Sequence, residues 1–229
     1  MEQRISELLV QTVLLSLKVS VLATVFNLLP GILLGWLLAR KQFRGKTIVD
    51  TTVNIPLVLP PIVTGYLLLI SLGPGTITGR FLEQLGLPLA FTWRAAVLAS
   101  AVVSLPLLIR AARGAFEQVD PALEDAARML RAPEWAVFVQ ISLSMAFPGI
   151  AAGILLTFAR AFGEFGATIV FASNIPGKTQ TIPLAIFTLI NQPGGERYAM
   201  VLVGIAVVIS YISIFVNEWL VRRQSKWKR

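Results

Sequence analysis

The sequence predicts an all-α integral membrane protein, because it is apolar, sparsely charged and rich in long uncharged runs. Of its 229 residues, 55% are hydrophobic and 14% are charged, whereas ordinary soluble domains carry about 25% charged residues. Mean hydropathy is +0.75. The chain has no cysteine and no histidine, which excludes metal sites and catalytic pairs built on those residues. We therefore expect no catalytic, cofactor-binding or metal-binding residues.

Five charge-free intervals are predicted to cross the membrane as helices. An α-helix rises about 1.5 Å per residue, so about 20 residues cross the hydrocarbon core. Four intervals reach that length, and the shorter fifth lies between Arg94 and Arg110, which can snorkel to the interfaces. In chain order the intervals are Val19–Ala39, Thr51–Gly79, Ala95–Ile109, Trp135–Ala159 and Tyr198–Asn217. The preceding residues 5–17 are expected to lie along the outer surface or to extend the first helix.

The apolar interval Phe165–Thr188 is not predicted to be a sixth span, because Pro176, Gly177, Lys178 and Pro183 interrupt it. We expect a half-inserted or surface segment there. Irregular backbone is tolerated at membrane depth only where protein or water surrounds it. Residues 1–229 are then a single membrane domain.

The basic residues predict the orientation, since cytoplasmic loops are enriched in Lys and Arg. Thirteen of the 20 basic residues fall in the 40–50 loop, the 110–134 loop and the tail from Glu218. This distribution places the N-terminus outside and the C-terminus in the cytoplasm. It also explains the formal net charge of +8 without a nucleic-acid partner.

The longest inside loop contains a predicted short helix, within a segment at about 114–134. Asp120 is a favourable N-cap and Pro121 is favourable at the first helical position. An apolar stripe follows at helical spacing: Leu123, Ala126, Ala127 and Leu130. The residues alone leave two interpretations open, a helix lying on lipid headgroups and a docking helix whose alanines admit a partner closely.

This loop resembles the signature of binding-protein-dependent ABC importer permeases: Glu-Ala-Ala, three residues, Gly, nine residues, Ile-x-Leu-Pro. Here the pattern is Asp125-Ala126-Ala127, Arg131 and Ile141-Ser142-Leu143-Ser144. Arg131 replaces the Gly of a tight turn and Ser144 replaces the Pro, so we expect Pro133 to provide the break. The resemblance implies a type I (MetI-like) permease fold with a coupling helix. The residues expected to couple to an ATPase are Leu123, Glu124, Asp125, Ala126, Ala127, Leu130 and Arg131.

Other motifs resemble the molybdate branch of that family. They are residues 54–66, residues 163–169, Asn174-Ile175-Pro176-Gly177, Thr181-Ile182-Pro183 and residues 193–196. Sulfate permeases share some of them, so sulfate or thiosulfate and tungstate remain alternative substrates. A secondary anion carrier is less favoured, because no inverted repeat or carboxylate is visible within the spans.

The resemblance implies a transport subunit of the bacterial cytoplasmic (inner) membrane rather than an enzyme. Its implied partners are a second copy of itself, two cytoplasmic ATPase subunits that bind ATP and Mg²⁺, a periplasmic oxyanion-binding protein and membrane lipid. Gly45-Lys46-Thr47 is not predicted to bind nucleotide in this chain. A phosphate-binding loop needs a Gly five positions before Gly45, where Arg40 stands.

The candidate path groups are polar, since a tetrahedral dianion needs hydrogen-bond donors and modest positive potential. The candidates for the path or gate are Asn54, Pro60, Thr168, Ser173, Asn174, Lys178, Thr179 and Thr181, with Arg160, Lys178 and Arg197 at the outer rim. The Pro-rich stretch 54–61 is expected to bend the second span. Glu164 follows Arg160 by four residues, so an outer ion pair on one helix face is expected.

Overall fold

The computed structural model describes residues 2–225, and their regular secondary structure is entirely helical. The basic residues Lys226, Lys228 and Arg229, counted above on the cytoplasmic side, lie outside the described residues. The helices within residues 2–225 are α1 (Glu2–Arg40), α2 (Lys46–Val58), α3 (Pro61–Leu72), α4 (Ile77–Gln84), α5 (Trp93–Glu117), α6 (Pro121–Met129), α7 (Glu134–Ala136), a π-helical segment (Val137–Leu143), α8 (Ser144–Phe162), α9 (Gly166–Phe171), α10 (Ile182–Ile190) and α11 (Glu196–Ser225). The all-α prediction is confirmed.

Four continuous helical stretches of the described chain are long and apolar enough to cross a membrane. They are Ser6–Arg40, Trp93–Glu117, Glu134–Phe162 and Glu196–Trp219. Each contains one predicted span, and the third joins α7, the π-helical segment and α8. Residues 5–17 continue the first helix without a break. Of the two alternatives for this stretch, extension of the first helix is therefore the one observed.

The second predicted span is broken rather than continuous. Helices α2 and α3 meet at an angle of 112°. Together they are long and apolar enough to form one broken span or a re-entrant loop. Pro60 and Pro61 stand at the break, where neither residue can donate a backbone hydrogen bond. The predicted bend is confirmed, but Thr51–Gly79 is not one helix, because α2 ends at Val58, α3 ends at Leu72 and α4 begins at Ile77.

Charged side chains mark the two ends of the bundle. Lys18 Nζ lies 3.8 Å from the ring centroid of Trp93, and 22 residues later Arg40 pairs with Glu124. Between them, Val19–Ala39 supplies about 30 Å of apolar helix. We call these the Lys18 end and the Arg40 end. The 40–50 and 110–134 loops share the Arg40 end.

Helix α1 packs closely on α5 through small residues. A Cβ added to Gly31 would lie 2.6 Å from Leu108 Cδ2, and one added to Gly35 would lie 2.6 Å from the Cβ of Ala112. Asn27 Nδ2 also donates to the carbonyl of Ala101, at 2.9 Å. Small residues and interhelical hydrogen bonds of this kind hold helices together where lipid supplies no hydrophobic driving force.

The segment after α8 lies inside the protein, at the Lys18 end. Helices α9 and α10 have 6 and 9 residues, too few to cross about 30 Å, so a sixth spanning helix is absent from residues 165–190. The Phe91 N–H donates to Phe171 O at 3.1 Å, and the Ile182 N–H donates to Ser16 Oγ at 2.7 Å. Protein surrounds much of this segment, whereas its turn at residues 176–178 is exposed.

Candidate docking helix and translocation path

The predicted helix of the 110–134 loop is α6, and its start is as expected. The Asp120 carboxylate accepts a hydrogen bond from the Ala122 N–H at 2.9 Å, and Pro121 is the first helical residue. The cap satisfies one of the N–H groups that a helix start leaves unpaired. A nine-residue helix is thereby held between α5 and the helical stretch Glu134–Phe162.

The apolar stripe of α6 faces away from the described chain. Leu123 and Leu130 are 42% and 84% exposed, and Met129 beside them is 85% exposed. Ala126 is exposed and Ala127 half-buried. Small side chains at the centre and large ones at the edges form a shallow apolar surface that a partner can approach closely. We call this surface, Leu123, Ala126, Ala127 and Leu130, the docking stripe.

Arg131 adopts the backbone conformation that the family signature reserves for Gly. Its φ is +61°, and the surrounding hydrogen bonds form a Schellman motif. The Arg131 N–H donates to Arg128 O at 2.9 Å, and the Ala132 N–H donates to Ala127 O at 3.1 Å. The tight turn therefore forms even though Arg replaces Gly. The cost is that a residue with a side chain is held in the unfavourable left-handed backbone conformation.

Pro133 does not make the break by itself, contrary to our expectation. Helix α6 already ends at Met129 and the chain turns at Arg131, two residues before Pro133. Pro133 is instead the N-cap residue of α7, with extended backbone angles. The helix is interrupted between Arg131 and Val137, as the sequence indicated, but the Schellman motif is the physical cause.

Replacing Arg131 with Gly should stabilise the protein by about 1 kcal/mol, because the left-handed penalty disappears while Gly gives back part of the gain as chain entropy. The thermal unfolding midpoint of the purified protein should rise. Arg131→Ala, which removes the same side chain but keeps a Cβ, should not raise it. An equal rise in both variants would assign the effect to the lost arginine charge.

Glu124, one of the residues expected to couple to an ATPase, is buried and lies outside the exposed apolar surface of α6. Its side chain is 6% exposed, and Arg40 Nη2 lies 2.9 Å from its Oε1. Ser142 Oγ donates to the same oxygen at 2.8 Å. No local pattern could indicate Arg40 as its partner, because 84 residues separate the two.

The remaining predicted coupling carboxylate, Asp125, is exposed and pairs with Arg128 at 2.8 Å. Arg128 also contacts Glu134, with 2.9 Å between Nε and Oε1. The hydrogen bonds from Arg128 to Glu134 and Asp125 raise the guanidinium pKa above its usual value. Arg128 thus remains positively charged beside the docking stripe.

Asn54 lies in a groove between α2 and α5, at the Arg40 end. Its Oδ1 accepts from Arg110 Nε at 2.6 Å, while its Nδ2 donates to Asp50 O at 2.7 Å. The groove has a volume of about 690 Å³ and is also bordered by Ile55 and Val58. Pro60, the other candidate on this side, is exposed at the start of α3.

The candidates that follow α9 lie in a hydrogen-bonded loop at the Lys18 end. Asn174 Nδ2 donates to Thr188 Oγ1 at 2.7 Å, and Gln180 Nε2 donates to Asn174 Oδ1 at 2.9 Å. Thr179 is buried, and its hydroxyl donates to Ser173 O at 3.1 Å. Ser173 has a φ of +65°. The structure therefore brings Ser173, Asn174 and Thr179 together as a folded loop.

Other candidates differ in how much solvent they meet. Lys178 and Arg197 are exposed. Thr168 is fully buried and donates to Phe165 O at 2.8 Å. The buried Thr181 hydroxyl has no hydrogen-bond partner among the described residues. The two threonines are thus enclosed by the chain itself, whereas the two basic residues are accessible.

The predicted outer ion pair is present. Arg160 Nη1 lies 2.7 Å from Glu164 Oε2, and the Glu164 side chain is 1% exposed. Glu164 Oε1 also accepts from the Ala167 N–H at 2.7 Å. One carboxylate therefore joins the end of α8 to the start of α9.

Replacing Glu164 with Gln should destabilise the protein by about 1.5 kcal/mol, because an amide retains an acceptor for Ala167 but loses the charge-assisted bond from Arg160. Thermal unfolding of the purified protein measures the change. Glu196→Gln, at an exposed position near the start of α11, is the matched control and should leave the midpoint unchanged. Equal midpoints for the two variants would contradict a stabilising role for the buried pair.

Comparisons with known proteins agree with this arrangement of helices. Residues 31–226 match the family described as "Binding-protein-dependent transport system inner membrane component". The chain is 54% identical to the molybdenum transport system permease protein ModB of Escherichia coli (strain K12), over 93% of each chain. It is 31% identical to the sulfate transport system permease protein CysT of the same strain, over 82% of this chain and 69% of that one. The fold is similar to a chain of the inward-facing MetNI methionine ABC transporter, with a TM-score of 0.75, 19% identity and coverage of 97% of this chain and 99% of that one.

Proposed function

Because the chain belongs to the family of inner membrane components of binding-protein-dependent transport systems, we propose that it is the permease subunit of an ATP-driven importer of molybdate. The assignment of molybdate as the substrate rests on the 54% identity, over 93% of each chain, to a molybdenum permease. Identity to a sulfate permease is 31%. Sulfate or thiosulfate transport is therefore the second candidate. Tungstate is a further candidate, because it is chemically similar to molybdate.

The docking stripe supports the proposal that a partner protein binds this chain and supplies the energy for transport. We infer a homodimer of this chain with two cytoplasmic ATPase subunits, which bind ATP and Mg²⁺, and an external oxyanion-binding protein. The exposed apolar surface at the Arg40 end fits a protein partner, since its alanines are flanked by large apolar side chains and by the charged Arg128 and Asp125. This chain then carries the path and hydrolyses no ATP.

The buried carboxylate of Glu164 does not favour a secondary carrier. A coupling carboxylate must gain and lose a proton or an ion during transport. Glu164 is held in place by Arg160 and by the Ala167 N–H. These two contacts fix α9 on α8 and give the carboxylate a structural role.

In the proposed cycle, ATP binding draws the two ATPase subunits together and moves the α6 helices with them. The paired permeases change from an inward-facing to an outward-facing state, and the binding protein delivers its oxyanion. Only the difference in ATP affinity between the two states can drive this change. The N-terminus lies outside and the C-terminus in the cytoplasm, which puts α6 on the side of the ATPase.

The polar groups of the proposed path divide between the two ends of the bundle. Lys178 and Arg197 are accessible at the Lys18 end and would attract the dianion, while Ser173 and Asn174 lie in the loop beside them. Asn54 borders the groove at the Arg40 end. Donors at separate places suit passage, because an ion must also leave each site.

Uptake by cells tests the proposal. The chain is expressed with its ATPase and binding protein in a bacterium lacking its own molybdate and sulfate permeases, and cellular molybdenum, tungsten and sulfur are measured by mass spectrometry. We expect molybdenum to accumulate from low external molybdate, and a transport-dead ATPase variant to abolish this. Sulfur accumulation without molybdenum would replace the proposed substrate with sulfate. Accumulation that persists with the dead ATPase would contradict an ATP-driven importer.

A further inference from the structure

Three contacts converge on the buried carboxylate of Glu124. Arg40 Nη2 lies 2.9 Å and Ser142 Oγ 2.8 Å from Oε1, and Arg128 Nη2 lies 3.8 Å from Oε2. The Glu124 side chain is 6% exposed and that of Arg40 is 14% exposed. This carboxylate is thus enclosed on the buried side of α6, about 100° around the helix from Leu123.

The partners of Glu124 come from two different membrane spans. Arg40 is the last residue of α1, and Ser142 lies in the π-helical segment near the start of the spanning stretch Glu134–Phe162. Arg40 Nη2 also donates to Val119 O at 2.7 Å, just before α6 begins. The guanidinium therefore holds both the helix and the chain that leads into it.

Little else fixes this face of α6. A space of about 510 Å³ lies beside the ion pair, bordered by Trp36, Arg40, Glu124, Phe138 and Ser142. The principal packing partner of α6 is the π-helical segment. Without the ion pair, α6 would have room to tilt into this space.

Stability is a poor explanation for this pair. Removing two charges from water costs several kcal/mol, and apolar residues of similar size often hold a fold equally well. What a fully satisfied buried polar network supplies is a single defined arrangement of the elements that it joins. Here those elements are the helix that bears the docking stripe and two of the helices that cross the membrane.

We propose that Glu124 is a positioning residue that, through Arg40 and Ser142, makes α6, the end of α1 and the π-helical segment move as one rigid body. The inference rests on the proposed role of α6 in docking an ATPase. It assigns transmission of the motion to the buried Glu124 and binding of the partner to the exposed docking stripe. A partner then displaces two membrane spans together whenever it displaces α6.

Spin labels test the rigid body directly, without any transported substrate. The chain has no cysteine of its own, so Gln42→Cys, two residues beyond α1, and Ala122→Cys, on α6, introduce the sole labelling sites of the permease. Distances between the labels within one subunit are measured by pulsed electron resonance in the assembled transporter, with cysteine-free partners, before and after ATP is added. Within one subunit we expect a narrow distance distribution that ATP does not change. Distances between labels of the two subunits form separate components.

Glu124→Gln should broaden that distribution, and it should lower the molybdate transported per ATP hydrolysed by about tenfold, within the usual range of coupling free energies. Glu117→Gln is the matched control, because Glu117 is exposed in an ion pair near the same loop. It should change neither quantity. The exchanged pair Arg40→Glu with Glu124→Arg should restore part of the transport per ATP.

A merely structural role predicts a different outcome: Glu124→Gln would reduce the amount of assembled transporter while leaving the distribution and the transport per ATP unchanged. That result would overturn the inference. Failure of the unsubstituted transporter to carry molybdate would overturn the proposed substrate alone, since the label distances do not depend on it. A distribution in the unsubstituted chain that ATP shifts or broadens would also overturn the rigid body.

Discussion

Molybdate uptake should fall by at least about a hundredfold when Ala126 is replaced with Arg, equivalent to losing about 3 kcal/mol of docking energy. Ala126 is exposed at the centre of the docking stripe, between Leu123 and Leu130. A long charged side chain there would hold the partner away and would leave its own charge facing an apolar surface. Cellular uptake and co-purification of the ATPase subunits measure the two consequences.

Two controls separate a docking defect from a folding defect. Ala126→Ser keeps the side chain small and should retain uptake. Thr47→Arg adds the same charge at an exposed position of α2, away from α6, and should also retain it. Normal ATPase association and normal uptake in Ala126→Arg would count against the docking role of α6.

The second large effect is expected at Gly65, where α3 meets α9. A Cβ at this position would lie 2.6 Å from Ala167 O and 2.8 Å from Ala167 Cα. These are backbone atoms, which cannot turn aside as a side chain can, so Gly65→Ala must push the helices apart. We expect a loss of about 3 kcal/mol, at the upper end for overpacked cores, measured as a lower thermal unfolding midpoint.

Gly114→Ala is the matched control for Gly65→Ala. Gly114 lies within α5, and an added Cβ would meet no atom within 4 Å. Alanine is favoured over glycine in a helix by about 0.5–1 kcal/mol, so this variant should be slightly more stable than the unsubstituted chain. If the two alanine variants unfold at the same temperature, contact between α3 and α9 does not limit stability.

The sequence was sufficient where the determining signal is local. Uncharged length identified the spans, because the cost of charge in lipid acts on each residue separately. Asp120 and Pro121 located the start of α6, because a cap depends on adjacent residues. The spacing of Leu123 and Leu130 identified the docking stripe for a similar reason.

The sequence was insufficient where partners are distant or where one conformation overrides a preference. Glu124 is buried only because Arg40, far away in the chain, neutralises it. Nothing about a Thr in an apolar run distinguishes the enclosed hydroxyl of Thr168 from a path-lining one. Arg131 adopts the angles of Gly because the closing hydrogen bonds of α6 stabilise that turn.

The break between α2 and α3 has a consequence for hydration. In a continuous helix, the N–H groups of residues 60 and 61 would satisfy the carbonyls of Pro56 and Leu57, but both positions are proline. An unsatisfied carbonyl in hydrocarbon costs several kcal/mol, and no residue of α2 is fully buried by the rest of the chain. This stretch must therefore be wetted or covered by another protein surface, so that lipid does not surround the whole perimeter of the subunit.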